Sequence, residues 1–144
     1  MSITGFMALE RLERSLSLKA FALLPLIELS LRVAGLPKTA RYCGASLERG
    51  DAPISIREAN AKQSIVMRAS ARATRRWVAA DTCLRRALLT AALLREASPM
   101  IRIGVRSDST GMEAHAWVEV DGSSLDAGSQ SYTPLIAAWT KDRA

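Results

Sequence analysis

The sequence contains a single histidine, His115, and only two cysteines, Cys43 and Cys83. Two cysteines cannot build a disulfide framework, and without a CxxC pair a zinc module has no ligand set. A reduced, cytoplasmic setting is therefore expected, in which a cysteine can serve as a reactive thiol. No metal or cofactor is expected. Long apolar runs are also missing. The most apolar stretch, Ala20 to Ile27, is short and bounded by Lys19 and Glu28, well under the roughly 20 residues of a membrane span. Stable membrane insertion is not expected. Glu28 and Arg32 interrupt the region where a signal-peptide cleavage site should follow. Lysine is scarce beside arginine, and carboxylates are too few to balance them, so the net charge is +6. That surplus favours an acidic partner or substrate without identifying one. Apolar residues are plentiful at 49% of 144, which argues for one folded domain with a real core and against disorder.

The patterning divides this domain into a helical region with a loop, residues 1–54, and an α+β core, residues 55–144. Leu9, Leu12, Leu16, Ala20, Leu23, Ile27, Leu31 and Ala34 recur at steps of three and four, an amphipathic helical stripe. Pro25 should kink or divide that helix, and Gly35 with Pro37 should stop it. Gly44 to Pro53 reads as a loop. Ser55-Ile56-Arg57-Glu58 matches a capping box opening a helix to about Ala79, with Ala59, Val66, Ala69, Ala73 and Trp77 inside. Arg68, Arg72, Arg75 and Arg76 fall on another side of it. They form either a docking patch for an acidic peptide or nucleic acid, or a solvated face. A further helix opens at Asp81-Thr82-Cys83, where Asp81 or Thr82 can cap it, and ends at Ser98-Pro99. Its stripe is Leu84, Leu88, Ala91 and Leu93 or Leu94, with Arg85, Arg86, Arg95 and Glu96 outside. Met100 to Arg106 alternates as a strand, with Ile101, Ile103 and Val105 buried and Arg102 facing out.

Residues 114–126 organise the rest. Two alternating runs flank Asp121-Gly122, the strongest short-range hairpin signal. A two-residue turn pairs Val120 with Ser123, Trp117 with Asp126 and His115 with Gly128. One face then carries Ala116, Val118, Val120, Leu125 and Ala127. The other carries His115, Trp117, Glu119, Ser124 and Asp126. His115 and Asp126 become diagonal neighbours, roughly 7–8 Å apart along the backbone and within side-chain reach. Tyr132 to Trp139 is a short apolar tail of undetermined form.

Cys83 stands in the first turn of its helix, where amides and the helix dipole stabilise a thiolate. A thiolate, an imidazole and an orienting carboxylate are the parts of acyl-transfer catalysis. Cys83, His115 and Asp126 are therefore the candidate nucleophile, base and orienter, with the amide of Cys83 as one oxyanion donor. Each has a plainer role available: a small core residue, a structural histidine, a strand end. Asp121 and Asp108 compete for the third position. Trp117 either shields the imidazole or fills the core. Cys43, with no second histidine to serve it, reads as structural.

At these residues the chain resembles the transglutaminase-like cysteine peptidases, and within them the leader peptidases of lasso-peptide biosynthesis. The resemblance is carried by Cys83-Leu84-Arg85-Arg86-Ala87-Leu88-Leu89, Leu93-Leu94-Arg95, Ile101-Arg102-Ile103-Gly104-Val105-Arg106 and Ala114-His115-Ala116-Trp117-Val118-Glu119. It implies a helical N-terminal region followed by a papain-like core, with the cysteine helix packed on a small antiparallel sheet. It places the nucleophile on Cys83, the base on His115 and the orienting carboxylate on Asp126. The sequence departs at Ala97-Ser98, where such proteins commonly carry a glycine. The resemblance further implies a precursor-peptide substrate, a separate leader-recognition protein and the ATP-dependent lasso cyclase as a further partner, with no nucleic acid. Arg72, Arg76 and the helices from Leu9 to Ala34 are the surfaces expected to dock a partner or an acidic leader. Other readings of the same residues are a transglutaminase or amidase on another acyl donor, and a basic helical adaptor without activity.

Overall fold

A computed structural model describes residues 2–47, 53–77 and 83–135. Helix α1 (Ile3–Ala34) opens the chain, and the Ser2 hydroxyl accepts from the Gly5 amide at its start. Gly35 ends it at φ 81°, a left-handed value that glycine adopts without a Cβ clash. Pro25 does not divide α1. Proline removes one intrahelical bond, but packing of α1 against three other helices outweighs that local cost. Helix α2 (Leu36–Tyr42) follows directly, with Pro37 in its first turn. This helix lies where the sequence showed only a stop signal.

The expected capping box at Ser55 is not a helix start. Ser55 O accepts from Ser124 N and Arg57 N donates to Ser124 O, so this segment runs beside the sheet. The cap is Asn60 instead, whose side chain accepts from Gln63 N while Gln63 Oε1 accepts from Asn60 N. Helix α3 (Ala61–Arg76) buries Val66, Ala69 and Ala73, as the stripe requires. Helix α4 (Cys83–Leu93) buries Ala87, Leu88, Leu89 and Ala91. Its proposed caps Asp81 and Thr82, and Ala79 before them, lie outside the described residues. At Ser98, in the Ala97-Ser98 pair where a glycine was expected from the resemblance, the backbone is left-handed (φ 50°). A glycine would take that turn without the strain serine bears there.

Among the described residues five strands form one mixed sheet: β1 (Ser46–Leu47), β2 (Met100–Asp108), β3 (Gly111–Val120), β4 (Ser123–Ser124) and β5 (Thr133–Pro134). Strands β2 and β3 make a long antiparallel hairpin, with Ile101 opposite Val118 and Gly104 opposite His115. Strand β1 runs parallel to β2, and β5 pairs with β2 at Gly104 and Val105. The tail from Tyr132 thus begins as a strand. Residues from Ile136 onward, Trp139 included, lie outside the described residues. The Asp121-Gly122 turn has positive φ at both central residues (53° and 77°), as a type I′ hairpin needs. One sheet face, with Ile101, Ala116, Val118 and Val120, joins Leu24, Val66 and Leu88 in a single core. The architecture is α+β, a helical N-terminal region followed by a small sheet. Among the described residues no helix is long and apolar enough to cross a membrane.

The second sheet face departs from expectation. Arg102, Trp117 and Glu119 are buried there at 2%, 2% and 3% exposure. Arg102 Nη1 lies 3.3 Å from Glu119 Oε2, and Trp117 Nε1 donates to the same oxygen at 2.9 Å. Alternation along the strand placed Arg102 correctly on the opposite face from Ile101. It could not show that this face is dry as well.

Candidate active site

Strand β3 delivers His115 and the 3-10 turn Ala127–Ser131 delivers Asp126, which caps that turn. The hairpin ladder ends at Ser124, so Trp117 and His115 have no strand partners at Asp126 and Gly128. Ala127 is exposed instead of buried, because the chain leaves the sheet before reaching it. The reach from His115 to Asp126 nevertheless closes: His115 Nε2 lies 2.6 Å from Asp126 Oδ2. A carboxylate only accepts, so Nε2 carries the hydrogen, and in a neutral imidazole Nδ1 is then the acceptor.

Asp126 is tethered on its protein side, and its side chain keeps 35% exposure. Its Oδ1 accepts from Gly128 N at 2.9 Å, and its amide donates to Ser124 Oγ at 3.1 Å. Ser129 Oγ donates to Asp126 O at 2.7 Å, and both serines are fully buried. Ser124 and Ser129 therefore fix the backbone that carries the carboxylate, and the Gly128 amide fixes the carboxylate itself. Sequence reading missed the two serines, although serines crowded around a candidate aspartate are a recognisable sign of a backbone clamp.

Cys83 is the first residue of α4, half-buried, with Sγ 4.0 Å from the carbonyl oxygen of Ala114, the residue before His115. Cys83, His115, Trp117 and Asp126 share one cavity of about 230 Å³, walled further by Met67, Ala71 and Leu125. Helix α4 is braced from behind: Arg85 Nε and Nη2 both bond the carboxylate of Glu28 in α1. That guanidinium, with Arg32 in support, lowers the Glu28 pKa from 4.5 to about 2, so the brace stays ionised at neutral pH.

The other thiol differs in every respect. Cys43 is 4% exposed at the end of α2, and burial pushes its pKa up to about 11. It lines a larger groove of about 850 Å³ between α1, α2 and the ends of α3 and α4, remote from the imidazole in the fold. Volume alone would choose that groove. The smaller cavity is the better candidate, because among the described residues it alone brings a thiol, an imidazole and a carboxylate together. Among the described residues no cluster of histidine, cysteine and carboxylate side chains could hold a metal ion.

Trp117 packs in two directions. It fills space in the buried face, and its ring also stacks beside His115 at 5.9 Å between centroids and 28° between planes. Gly104, opposite His115, makes room for that indole. A Cβ at Gly104 would stand 2.8 Å from Trp117 Cη2 and 2.9 Å from the Thr133 carbonyl oxygen. Gly104→Ala should therefore cost about 1–3 kcal/mol through overpacking and slow alkylation of Cys83 by disturbing its histidine. Unchanged thermal stability and unchanged thiol reactivity together would show that the sheet absorbs the methyl group.

The arginines divide. Arg72 Nη2 bonds Glu13 at 2.9 Å and Arg68 reaches the same carboxylate at 4.0 Å, so these two tie α3 to α1. Arg76 remains exposed at the end of α3.

No curated protein and no solved structure matches the sequence. A model of the transglutaminase-like superfamily matches residues 23–137, a span that includes Cys83, His115 and Asp126 and most of the described fold. Enzymes of this superfamily are generally of the cysteine type. With four-fifths of its length inside that match, the chain belongs to the transglutaminase-like superfamily.

Proposed function

We propose that this protein is a cysteine peptidase that removes the leader from a ribosomally made lasso-peptide precursor. The observation that carries the reading is the 2.6 Å contact of His115 Nε2 with Asp126, made beside a thiol at a helix start. The Cys83 thiol gives its proton to His115 Nδ1 as sulfur attacks the scissile carbonyl carbon. The oxyanion that forms is met by amides at the start of α4, that of Cys83 first. His115 then returns the proton to the leaving amine, and the C–N bond breaks to leave a thioester. Water, deprotonated by the same imidazole, releases the acid and restores the thiol. Asp126 holds the tautomer throughout and stabilises the imidazolium between the two transfers.

Incubation with a candidate precursor, with and without its leader-recognition protein, tests this reading by mass spectrometry. Hydrolysis adds one water across the cut, whereas an amine acceptor yields an amide, the product of a transglutaminase-type rival. An inert adaptor would give neither, and its Cys83 would alkylate no faster than glutathione; buried Cys43 is no reference, since burial alone slows it.

A leader carries much of its recognition away from the cut, so a partner that binds it raises its local concentration at the cavity. The protein alone should cleave poorly, and the recognition protein should speed cleavage several-fold. Arg76→Glu should weaken that gain without changing the alkylation rate of Cys83. Arg72→Glu should do so too, but with some loss of stability, since it breaks the bond to Glu13. Full activity on the bare precursor with no response to the partner would refute the docking part of the proposal.

A further inference from the structure

Read from sequence alone, Tyr132 belongs to an uncharacterised tail, yet the structure puts its ring on the imidazole. The centroids of Tyr132 and His115 are 4.9 Å apart with planes at 30°. Tyr132 closes the same five-residue 3-10 turn that Asp126 opens. One short segment thus delivers a carboxylate to the edge of His115 and an aromatic ring to its face. The tyrosine is itself held. Arg106 sits over its ring at 4.7 Å from the centroid. That guanidinium is fixed by Glu113 Oε2 at 2.6 Å from Nη2 and by Ser131 Oγ at 3.0 Å from Nη1. The Tyr132 hydroxyl bonds Glu113 in turn, and desolvation with that bond raises the phenol's pKa. Its neighbour Thr133 is tied into the sheet opposite Val105.

We propose that Tyr132 is a positioning residue: its ring, braced by Arg106 and Glu113, sets the plane of His115 so that Nδ1 serves Cys83. The hydrogen bond at Nε2 pins one point of the imidazole; Trp117 lies beside the ring at 5.9 Å, and Tyr132 stacks on it more closely, at 4.9 Å. Once His115 takes the thiol proton, the π face of Tyr132 also attracts the imidazolium. This inference rests on the thiol–imidazole pair proposed above.

The test compares the intact chain with Tyr132→Phe, Tyr132→Leu and Tyr132→Ala. One readout is the rate of iodoacetamide alkylation of Cys83 at pH 7, mapped by mass spectrometry against glutathione. The other is the nitrogen NMR spectrum of the imidazole, unambiguous because the chain has one histidine. Loss of the ring should slow alkylation about three- to tenfold, the range an aromatic pair is worth. Tyr132→Phe should stay within about twofold, since it loses only one exposed hydrogen bond. The intact chain and Tyr132→Phe should show one tautomer protonated at Nε2, and Tyr132→Ala a mixture. Tyr132→Leu keeps bulk without the ring and decides the matter if alanine prevents folding. Unchanged alkylation and an unchanged tautomer in Tyr132→Leu would overturn the proposal while leaving the thiol–imidazole pair intact. A Cys83 that reacts no faster than glutathione in the unaltered chain would instead refute that pair, and this inference with it.

Discussion

Cys83→Ala and His115→Ala are expected to abolish the proposed leader removal, and Asp126→Asn to leave a small measurable remainder. The first removes the sulfur that would form the thioester, and Cys43 lines a different cavity from His115. The second removes the only imidazole in the chain, so no other side chain of that type can substitute. The third keeps the backbone clamp of Ser124 and Ser129 but loses the negative charge that meets His115 Nε2. An asparagine amide can also donate to that nitrogen, favouring the tautomer with its hydrogen on Nδ1, where the thiol proton must go. Losses for residues that act as a unit are not additive. The double variant Cys83→Ala/His115→Ala should therefore be no worse than either single. Initial rates on the precursor, with folding checked by circular dichroism, measure this. Near-normal cleavage by Cys83→Ala would end the acyl-transfer account.

The largest expected loss of stability lies on the sheet face beneath the site. Arg102→Met should destabilise the protein by about 3–5 kcal/mol, because it leaves the Glu119 carboxylate buried without its cation. Glu119→Leu should also be costly, since it takes the carboxylate from the buried Arg102 guanidinium and strands the Trp117 indole donor. A natural domain holds only about 5–15 kcal/mol in total, so either change takes a large share. The exposed pair of Arg57 and Asp121 at 3.5 Å is the control, with side chains 39% and 78% accessible. Breaking it should cost less than about 1 kcal/mol, because water replaces the partner. Urea unfolding followed by tryptophan fluorescence measures all three. Equal small losses would mean that the buried pair is no better protected from solvent than the surface one.

The same pair explains why Trp117 resisted a single description. Its indole is fixed by Glu119 below and lies beside His115, so packing and site geometry share one side chain. Trp117→Phe would remove a buried donor as well as alter the cavity wall. Stability and turnover should both suffer, and their comparison alone cannot separate the two roles. The Gly104 substitution approaches the same indole from behind without touching its hydrogen bond.

Local chemistry in the sequence determined a good deal. Stripe periodicity located α1, α3 and α4, because burying one helix face demands apolar residues at steps of three and four. Asp121-Gly122 determined the hairpin turn, because positive φ at two successive residues suits few others. That turn placed His115 within reach of Asp126, and the pair met even though the ladder stopped short of them. Tertiary structure decided the rest. Asn60 capped α3 instead of Ser55, because the Ser55 backbone found partners in β4. Arg102 went inside because Glu119 lay within reach across the hairpin and a charge can be buried only with a partner. Tyr132 came to His115 through a strand of two residues, too short to leave any periodicity in the chain. Short-range patterns record which face of an element is apolar, whereas contacts between distant residues depend on how those faces pack.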